Sequence, residues 1–440
     1  MNPYADSLQR RLQFAWKRTD NFFRIIKPEG FWAQPIVWRH PLIFYVGHLP
    51  AFAWNQIGPL FLEHPSYNAH FDEMFSRGID PDVDTGACHL HPAVPEDWPD
   101  LEEIVFYRDR VREGVLNSLE LLKSRRQDAR ASHPFTMVLE HEFMHQETLL
   151  YMLQELPSEL KCRPPGLPEY QFGKGEAPIE IKIPAGRVTL GASSHKLIFG
   201  WDNEFPRHVV PVEAFRIQST PVTNLDFFEF VASGAYEKER YWTESDWAWK
   251  QRVGIRHPNF WLQRGADWLY RTLFDELPLE KVYSWPVYAS LAEARAFARW
   301  KEKRLPTEAE FCRAAWGSPD GREHPFPWGE NEPCGDYGNF DFAHWSPVPV
   351  GSNPLGMSAW GVHEFVGNGW EWTETPFAPF PGFVPLGTYP EYSADFFDGK
   401  HYVLKGASWA TASGLIRSSF RNWYQAHYPH VFAKFRCVSD

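Results

Sequence analysis

The sequence predicts a two-part fold, in which a bundle of long amphipathic helices is followed by an irregular α+β half. Within residues 1–156, four stretches of more than 20 residues repeat apolar side chains at helical spacing. Residues 157–180 are dense in proline and glycine, which is typical of a linker. From residue 181 to 440, short apolar runs alternate with turn residues, and tryptophan is frequent. The chain of 440 residues therefore reads as two domains joined by a linker.

The first part is predicted to be an up-down four-helix bundle. The four predicted helices cover residues 5–27, 41–62, 101–123 and 134–155. In the first of them Leu8, Leu12 and Ala15 fall on one face, as a core-facing helix requires. The segment 64–100 is rich in Asp, His and Pro and is too long for an ordinary connection, which indicates a functional loop.

The second part offers two clear helices, at about 291–302 and 307–315. The later one begins at Thr307, with Glu310 three residues on, and this spacing predicts a capping box. The remaining elements are short strands between turns, so we expect few other long helices in this half.

Charge and composition exclude several classes of partner. The 44 basic and 56 acidic residues leave a net charge of −12, which argues against binding to nucleic acid or to an anionic membrane surface. The most apolar stretch, residues 41–54, is broken by Gly47, His48 and Pro50 and is too short to span a bilayer. The aromatic share of 17% is high, and aromatic rings serve both cores and pockets for cations.

Cysteine usage predicts a reducing, cytoplasmic setting. The five cysteines are scattered, odd in number and without a Cys-x-x-Cys pair, so neither a disulfide framework nor a thiolate metal site is indicated. The polar segment Met1 to Arg11 predicts no secretory leader.

The fourth predicted helix carries the sharpest local motif, His141-Glu142-Phe143-Met144-His145. Histidines four residues apart share a helix face and can bind one metal ion. Read literally, the motif is the HExxH pattern of zinc proteases, with Glu142 as general base. The alternative is a pair of histidines that line a polar seam of the bundle.

His48 changes the balance between these readings. It lies inside the apolar run of the second helix, where a lone histidine is most often a satisfied core residue. A bundle brings the second and fourth helices together, so His48 can converge with His141 and His145. Three imidazoles suit Fe(II), Zn(II) or Cu(II) rather than Mg(II) or Ca(II), and they leave open positions for substrate and O₂.

The second half resembles the formylglycine-generating-enzyme (sulfatase-modifying factor) fold, which is related to C-type lectins. Matching motifs occur in order over roughly residues 180–440: Thr220-Pro221-Val222-Thr223-Asn224, Arg304-Leu305-Pro306-Thr307-Glu308-Ala309-Glu310, Gly367-Asn368-Gly369-Trp370-Glu371-Trp372-Thr373, Gly406-Ala407-Ser408-Trp409 and Phe435-Arg436-Cys437. Formylglycine-generating enzymes use a cysteine pair near the C-terminus. Only Cys437 lies in the corresponding region, so we do not expect that activity.

The first half resembles a DinB-type bundle, and the segment Arg39-His40-Pro41-Leu42-Ile43-Phe44-Tyr45-Val46-Gly47-His48 is similar to that of ergothioneine and ovothiol sulfoxide synthases. The resemblance implies a non-haem Fe(II) held by His48, His141 and His145, with O₂ as co-substrate. It also implies that a thiol sulfur is joined to C2 of the imidazole of hercynine (N-α-trimethylhistidine) and oxidised to a sulfoxide. The methyltransferase domain that many ovothiol synthases append is not expected.

The same resemblance implies substrate-binding residues near the C-terminus. Asn422 would meet the carboxylate of the betaine and Trp423 would line its pocket. Aromatic faces hold quaternary ammonium groups, so we expect Phe377 and Phe380 to complete a cage with Trp423. Met144 stands where the family has a substrate-facing glutamine.

Departures from the family pattern define what the sequence leaves open. The loop that supplies two tyrosines in the best-known bacterial branch reads Phe377-Ala378-Pro379-Phe380 here, so the catalytic phenol would be Tyr428, Tyr424 or Tyr107. Tyr424 and Tyr428 stand where an Asp and an Arg bind γ-glutamylcysteine. We therefore expect cysteine to be favoured over γ-glutamylcysteine as the sulfur donor.

Four other readings stay open at this stage. A selenoneine synthase shares the architecture and joins hercynine to a selenosugar, and an ovothiol-type synthase attacks C5 of unmethylated histidine. A zinc protease and a non-catalytic betaine-binding module are the remaining two. Related folds bind calcium at the positions of Asn368 and Glu371. The sequence leaves open whether the chain forms a homo-oligomer.

Overall fold

The computed structural model describes residues 3–62, 65–88, 97–124, 129–195, 197 and 199–440. The chain divides into two compact units, Met1–Pro165 and Gly166–Asp440. The first unit is helical and the second is built from small sheets and short helices, which confirms the predicted fold class.

The described residues of the first unit contain five α-helices: α1 Pro3–Phe23, α2 Leu42–Phe61, α3 Ala69–Met74, α4 Leu101–Ser124 and α5 His133–Glu155. The four long ones match the predicted helices. The short α3 lies inside the predicted loop 64–100 and begins where the Asn68 side chain accepts the Phe71 amide at 3.1 Å. Part of that loop, residues 89–96, lies outside the described residues.

Helix α2 is the central helix of the first unit. It packs against α4, α5 and α3, and nearly all of its side chains are buried. This position explains why its sequence is apolar on every side rather than along one stripe. Among the described residues, no helix combines the length and hydrophobicity needed to cross a bilayer.

Where the structure describes it, the second unit contains four small sheets and five α-helices. Its strands are β1 Glu180–Ile183, β2 Gly186–Leu190, β3 His208–Val212, β4 Phe215–Gln218, β5 Trp261–Arg264, β6 Asp267–Arg271, β7 Glu276–Pro278, β8 Gly369–Pro376, β9 His401–Ala407, β10 Asn422–Gln425, β11 Ala433–Lys434 and β12 Val438–Ser439. Its helices are α6 Asn224–Ala232, α7 Glu244–Val253, α8 Leu291–Trp300, α9 Glu308–Trp316 and α10 Glu391–Ala394. The predicted capping box is confirmed, since Thr307 and Glu310 bond each other's backbone N–H groups at 2.8 and 3.2 Å.

The largest sheet of the described residues has the order β10-β9-β8-β11, and its strand β10 carries Asn422 and Trp423, two of the predicted substrate residues. Strand β10 lies at its edge, where Trp423 is paired with Val403 of β9. Strand β11 pairs in parallel with β8, while β12 joins β1 and β4 in another sheet. The last strands of the chain therefore connect two sheets of this unit.

The predicted linker is attached at both of its ends. Cys162 donates its amide to the carbonyl of Ile25 in the first unit at 2.7 Å. In the second unit, the carbonyl of Gln171 accepts the Trp285 indole N–H at 2.8 Å, and that of Gly173 accepts the Ser284 hydroxyl at 2.7 Å.

Candidate metal centre and substrate-binding residues

Three histidines of the first unit converge on one point. His48 comes from α2, and His141 and His145 come from successive turns of α5. The Nε2 atoms of His48 and His145 are 3.2 Å apart, and one ligand nitrogen from each of the three rings lies within 4.8 Å of the others. Two nitrogens that bind one metal at about 2.0–2.1 Å stand about 2.9–3.4 Å apart at right or tetrahedral angles. The His48–His145 pair already has the spacing of two ligands of one ion.

The backbone orients His48 toward this point. Its Nδ1 lies 2.7 Å from the carbonyl oxygen of Phe75, just after α3. A carbonyl only accepts, so Nδ1 carries the proton and the lone pair is on Nε2, which faces His145. A ligand histidine commonly donates its second N–H in this way, which fixes both tautomer and ring orientation.

Phenylalanine rings cover two of the three imidazoles. Phe52 stacks on His141 at a centroid distance of 3.6 Å, and Phe44 stacks on His48 at 4.9 Å. Sequence reasoning did not single out Phe44 and Phe52 as part of the centre. Both are four residues from His48, so all three side chains share one face of α2. The stacked rings exclude water from one side of the centre.

Burial keeps the three histidines neutral. It lowers the pKa of His48 to about 4, and it holds the pKa values of His141 and His145 well below the ordinary range, with neighbouring histidines acting in the same direction. The neutral imidazole is the form that binds a metal ion. At neutral pH the site therefore offers three uncharged nitrogen ligands in an apolar setting.

Glu142, the general base of the protease reading, serves a different contact. Its carboxylate accepts the Thr19 hydroxyl of α1, and burial raises the pKa of Glu142. One turn on, the Gln146 amide donates to the Thr19 hydroxyl at 3.0 Å and accepts from Arg18 at 2.8 Å. Glu142 and Gln146 thus link α5 to α1. Because the Glu142 carboxylate is bound in this contact, the structure argues against its acting as the general base of a zinc protease.

Two predicted site residues lie elsewhere in the first unit. Tyr107 of α4 donates its hydroxyl to the Asp72 carboxylate, and burial together with that carboxylate raises the pKa of Tyr107. Met144 lies half-buried on α5 beside His145. Tyr45, which sequence reasoning missed, is buried on α2 with its ring centroid 5.7 Å from that of His145.

The predicted betaine-binding pair lies on the edge strand β10. Asn422 and Trp423 are both half-buried. The Asn422 Oδ1 accepts the backbone N–H of Trp423 at 2.9 Å, so the amide NH₂ is the group left to donate to a carboxylate. The indole of Trp423 stacks flat on Phe377, with centroids 4.3 Å apart.

The surroundings of Phe377 and Phe380 differ from the prediction that these rings form a cage for a substrate ammonium group. Both rings are buried, and the guanidinium carbon of Arg421 lies 4.9 Å from the Phe377 centroid and 4.2 Å from that of Phe380. Arg421 is itself buried and pairs with Glu308, with 3.0 Å between Nε and Oε1. The protein's own cation therefore occupies the aromatic faces that were predicted to hold the substrate.

The two C-terminal candidate phenols form a stacked pair. The rings of Tyr424 and Tyr428 are parallel to within 6°, with centroids 5.4 Å apart. Tyr428 is buried, with its ring edge-on to His430 at 5.2 Å, whereas Tyr424 is half-buried on β10 beside Trp423. Tyr424 is thus the more accessible phenol of the pair.

The two residues of the candidate calcium site are committed to protein partners. Glu371 is fully buried and bonds Arg436 at 2.5 and 3.0 Å and Lys434 at 3.0 Å. Burial alone would raise the pKa of Glu371, but the two cations outweigh it and the pKa is lowered. Asn368 bonds Val348 through both its amide N–H and its carbonyl oxygen. This arrangement argues against a calcium ion at these residues.

Comparison with known proteins identifies the family of the chain. Residues 168–440 match the sulfatase-modifying factor enzyme 1-like domain family. The chain is 37% identical over 340 residues to the hercynine oxygenase of Mycobacterium tuberculosis, covering 76% of this chain and 77% of that protein. It is also 37% identical to the hercynine oxygenase of Mycolicibacterium smegmatis, covering 70% and 71%.

A fungal relative spans both units. The chain is 31% identical over 512 aligned residues to ergothioneine biosynthesis protein 1 of Neurospora crassa, covering 97% of this chain and 57% of that protein. The bacterial matches cover more than two thirds of both partners at more than 30% identity. The chain therefore belongs to the hercynine oxygenase family of sulfoxide synthases, enzymes of the oxidoreductase class.

Proposed function

We propose that the chain is an Fe(II)- and O₂-dependent sulfoxide synthase that joins a thiol sulfur to C2 of the hercynine imidazole, in ergothioneine biosynthesis. The observation that carries the proposal is the convergence of His48, His141 and His145, three neutral imidazoles in an apolar setting. An ion with three nitrogen ligands keeps open positions for a thiolate, an imidazole and O₂. The names of the relatives supply the substrate, hercynine.

The overall reaction balances without a further reductant. Hercynine gives up its C2–H, the thiol gives up its S–H, and a C–S bond forms. Of the two oxygen atoms of O₂, one enters the sulfoxide and the other leaves as water with the two hydrogens. The iron supplies the means to activate O₂ in the presence of both substrates.

The residues of the chain bind, orient and shield. The Phe75 carbonyl holds His48 in the tautomer whose Nε2 faces the metal position. The stacked Phe44 and Phe52 exclude water, which strengthens electrostatic interactions at the centre. In the second unit, the Asn422 amide donates to the betaine carboxylate and Trp423 lines the pocket.

We propose cysteine as the sulfur donor rather than γ-glutamylcysteine. The support is that Tyr424 and Tyr428, a stacked neutral pair, stand where the family places the charged residues that hold the glutamyl group. Tyr424, as the accessible phenol, is proposed as the proton donor. A selenosugar is the alternative donor, because the same replacement of the family's charged residues by Tyr424 and Tyr428 leaves room for a donor without a glutamyl group.

The proposed location is the cytoplasm. All five cysteines are free thiols in the structure, and Cys88, Cys162 and Cys334 are exposed. Exposed free thiols persist most readily where the medium is reducing.

Metal content and turnover test the function together. Full-length protein reconstituted with Fe(II) should hold about one iron per chain, and His48→Ala, His141→Ala and His145→Ala should each lose it. His70→Ala, an exposed histidine of the same unit, is the matched control and should retain iron. With hercynine and O₂, cysteine should be consumed faster than γ-glutamylcysteine or 1-selenoglucose.

The outcome for each part of the proposal can be read separately. Iron retained by all three alanine variants would refute the ligand set. A preference for γ-glutamylcysteine or for 1-selenoglucose would refute the choice of donor and leave the family reaction intact. Tyr424→Phe should lower turnover far more than Tyr428→Phe or Tyr107→Phe, and equal losses would remove Tyr424 from its proposed role.

A further inference from the structure

The face of Trp423 that packs on Phe377 is covered, so the ligand-facing part of this indole must be found among its other neighbours. Two rings from one short segment contact it. Tyr392 approaches Trp423 at a centroid distance of 5.3 Å with the planes at 80°, and Phe396 approaches at 5.6 Å with the planes at 45°. All three rings are half-buried. They form three differently oriented aromatic walls around partly exposed surface.

The segment that supplies the two rings is firmly anchored. Tyr392 lies in the short helix α10 and Phe396 lies two residues past its end, and their shared contact with Trp423 places the two rings on one side of the segment. Between them Ser393 is fully buried, donates its hydroxyl to Asp202 and accepts the Asn203 amide at 2.9 Å. The walls are thus held in place before any ligand binds, which reduces the ordering cost of binding.

Other aromatic rings support the three walls from behind. Tyr392 stacks on Trp201 with centroids 4.0 Å apart, and Phe396 lies edge-on to His401 at 5.2 Å. Phe377 plays the same part for Trp423. Each of the three rings thus packs against another ring and still keeps part of its surface exposed.

Two other aromatic clusters of this unit are filled by the protein's own cations. Arg421 lies over Phe377 and Phe380. The Lys250 ammonium lies 5.1 Å from the Tyr236 and Trp247 centroids and 5.9 Å from that of Trp242. Within the described residues, no protein cation lies over Trp423 or Phe396.

Resting on the proposed function, we propose that Trp423, Tyr392 and Phe396 form the site for the quaternary ammonium group of the betaine substrate. A trimethylammonium group cannot donate hydrogen bonds, and aromatic faces are the surfaces that attract it. Asn422, the residue before Trp423, then binds the carboxylate, which the betaine carries on the same carbon atom as the ammonium group. Tyr392 and Phe396 are therefore specificity-determining residues that discriminate a methylated from a free α-amino group.

The test measures selectivity rather than activity. Anaerobic calorimetry on the full-length protein compares hercynine with histidine, which differ only in the three methyl groups. Tyr392→Leu and Phe396→Leu should lower the ratio of the two affinities about 3- to 30-fold, the range expected for one lost cation–π face. Tyr392→Phe keeps the face and should keep the ratio.

Phe383→Leu is the matched control. Phe383 is half-buried in the same region, and its ring contact is Phe397, edge-on at 5.1 Å, rather than Trp423. This variant should leave the ratio unchanged. Should a leucine variant fail to fold, trifluorophenylalanine at position 396 weakens the negative ring face at nearly constant shape and should lower the ratio as well.

The results separate this inference from the proposed function. Wild-type protein that binds and turns over hercynine, with an unchanged ratio in both leucine variants, would overturn the ammonium site alone. An equal loss of hercynine and histidine affinity would also overturn it, since that is the signature of a collapsed pocket. Wild-type protein that neither binds nor turns over hercynine would refute the function itself.

Discussion

The metal-free bundle should be sensitive to mild acid because it buries three histidines in their neutral form. Burial lowers the pKa of His48 to about 4, whereas an unfolded chain titrates near 6.5. Between these values the unfolded state binds a proton that the folded state does not. Stability is therefore complete above about pH 6.5 and is lost as the pH falls toward 4.

The size of the effect follows from the two pKa values of His48. One pKa unit corresponds to about 1.4 kcal/mol, so a shift from 6.5 to about 4 costs about 3 kcal/mol once the pH reaches 4. At pH 5 the loss is about 2 kcal/mol for His48 alone. His141 and His145, whose pKa values are also depressed by burial, add losses of the same sign.

Urea unfolding of metal-free protein at pH 7 and pH 5, followed at 222 nm, measures this loss because the helical unit dominates that signal. Wild-type protein should lose about 2 kcal/mol more between the two pH values than His48→Gln. The comparison cancels the titration of groups that both proteins share. His70→Gln, which changes an exposed histidine, should behave as wild type.

Equal pH dependence in wild type and His48→Gln would refute the reasoning, because it would mean that His48 is not held neutral by burial. Saturating metal should raise the stability of wild type by about the same amount at pH 7 and at pH 6, because the folded site binds the ion through imidazoles that are neutral at both pH values, while the unfolded chain titrates as before. A metal that stabilised wild type no more than it stabilised His48→Gln would contradict the proposed ligand role.

Two further predictions concern the support of the centre and the buried charges. A Cβ on Gly47 would lie 2.5 Å from the ring of Phe75, the residue whose carbonyl orients His48. Gly47→Ala should therefore weaken metal binding about 10- to 100-fold in a competition titration. Gly78→Ala is the control and should not weaken binding, since the nearest atom to its Cβ lies at 4.0 Å. Glu371→Gln removes the carboxylate that pairs with the buried Lys434 and Arg436, and it should lower the free energy of unfolding by about 3–5 kcal/mol in thermal or urea unfolding. Glu276→Gln, in an exposed ion pair, should cost about 0–1 kcal/mol, and added calcium should stabilise neither wild type nor variants.

The sequence predicted the helices and the convergence of the three histidines because both depend on short-range spacing. His141 and His145 are one helical turn apart, and an apolar run around His48 implies a buried helix that must face its neighbours. Spacing alone could not show that the Phe75 carbonyl would orient His48. That contact joins residues 27 positions apart in the sequence.

The aromatic cage shows where sequence reasoning stops. Phe377 and Phe380 were expected to face the substrate, but the guanidinium of Arg421, just before β10 and more than forty residues later in the sequence, lies over both rings. Two other neighbours of Trp423 come from α10 and the residues just after it, a short segment that no periodic pattern marks. Long-range packing, which composition does not encode, decides which aromatic faces remain accessible.

The Arg421 packing has a consequence for ligand selectivity. An uncovered pair of phenylalanine rings can bind any organic cation by cation–π attraction, including the amines and guanidines of a cell. Arg421, which is itself paired with Glu308, covers these rings and so closes a competing cation site next to the strand whose residues are proposed to bind the betaine. A high share of aromatic residues therefore does not by itself give the number of cation sites open to a ligand, because the protein's own cations cover some of the rings.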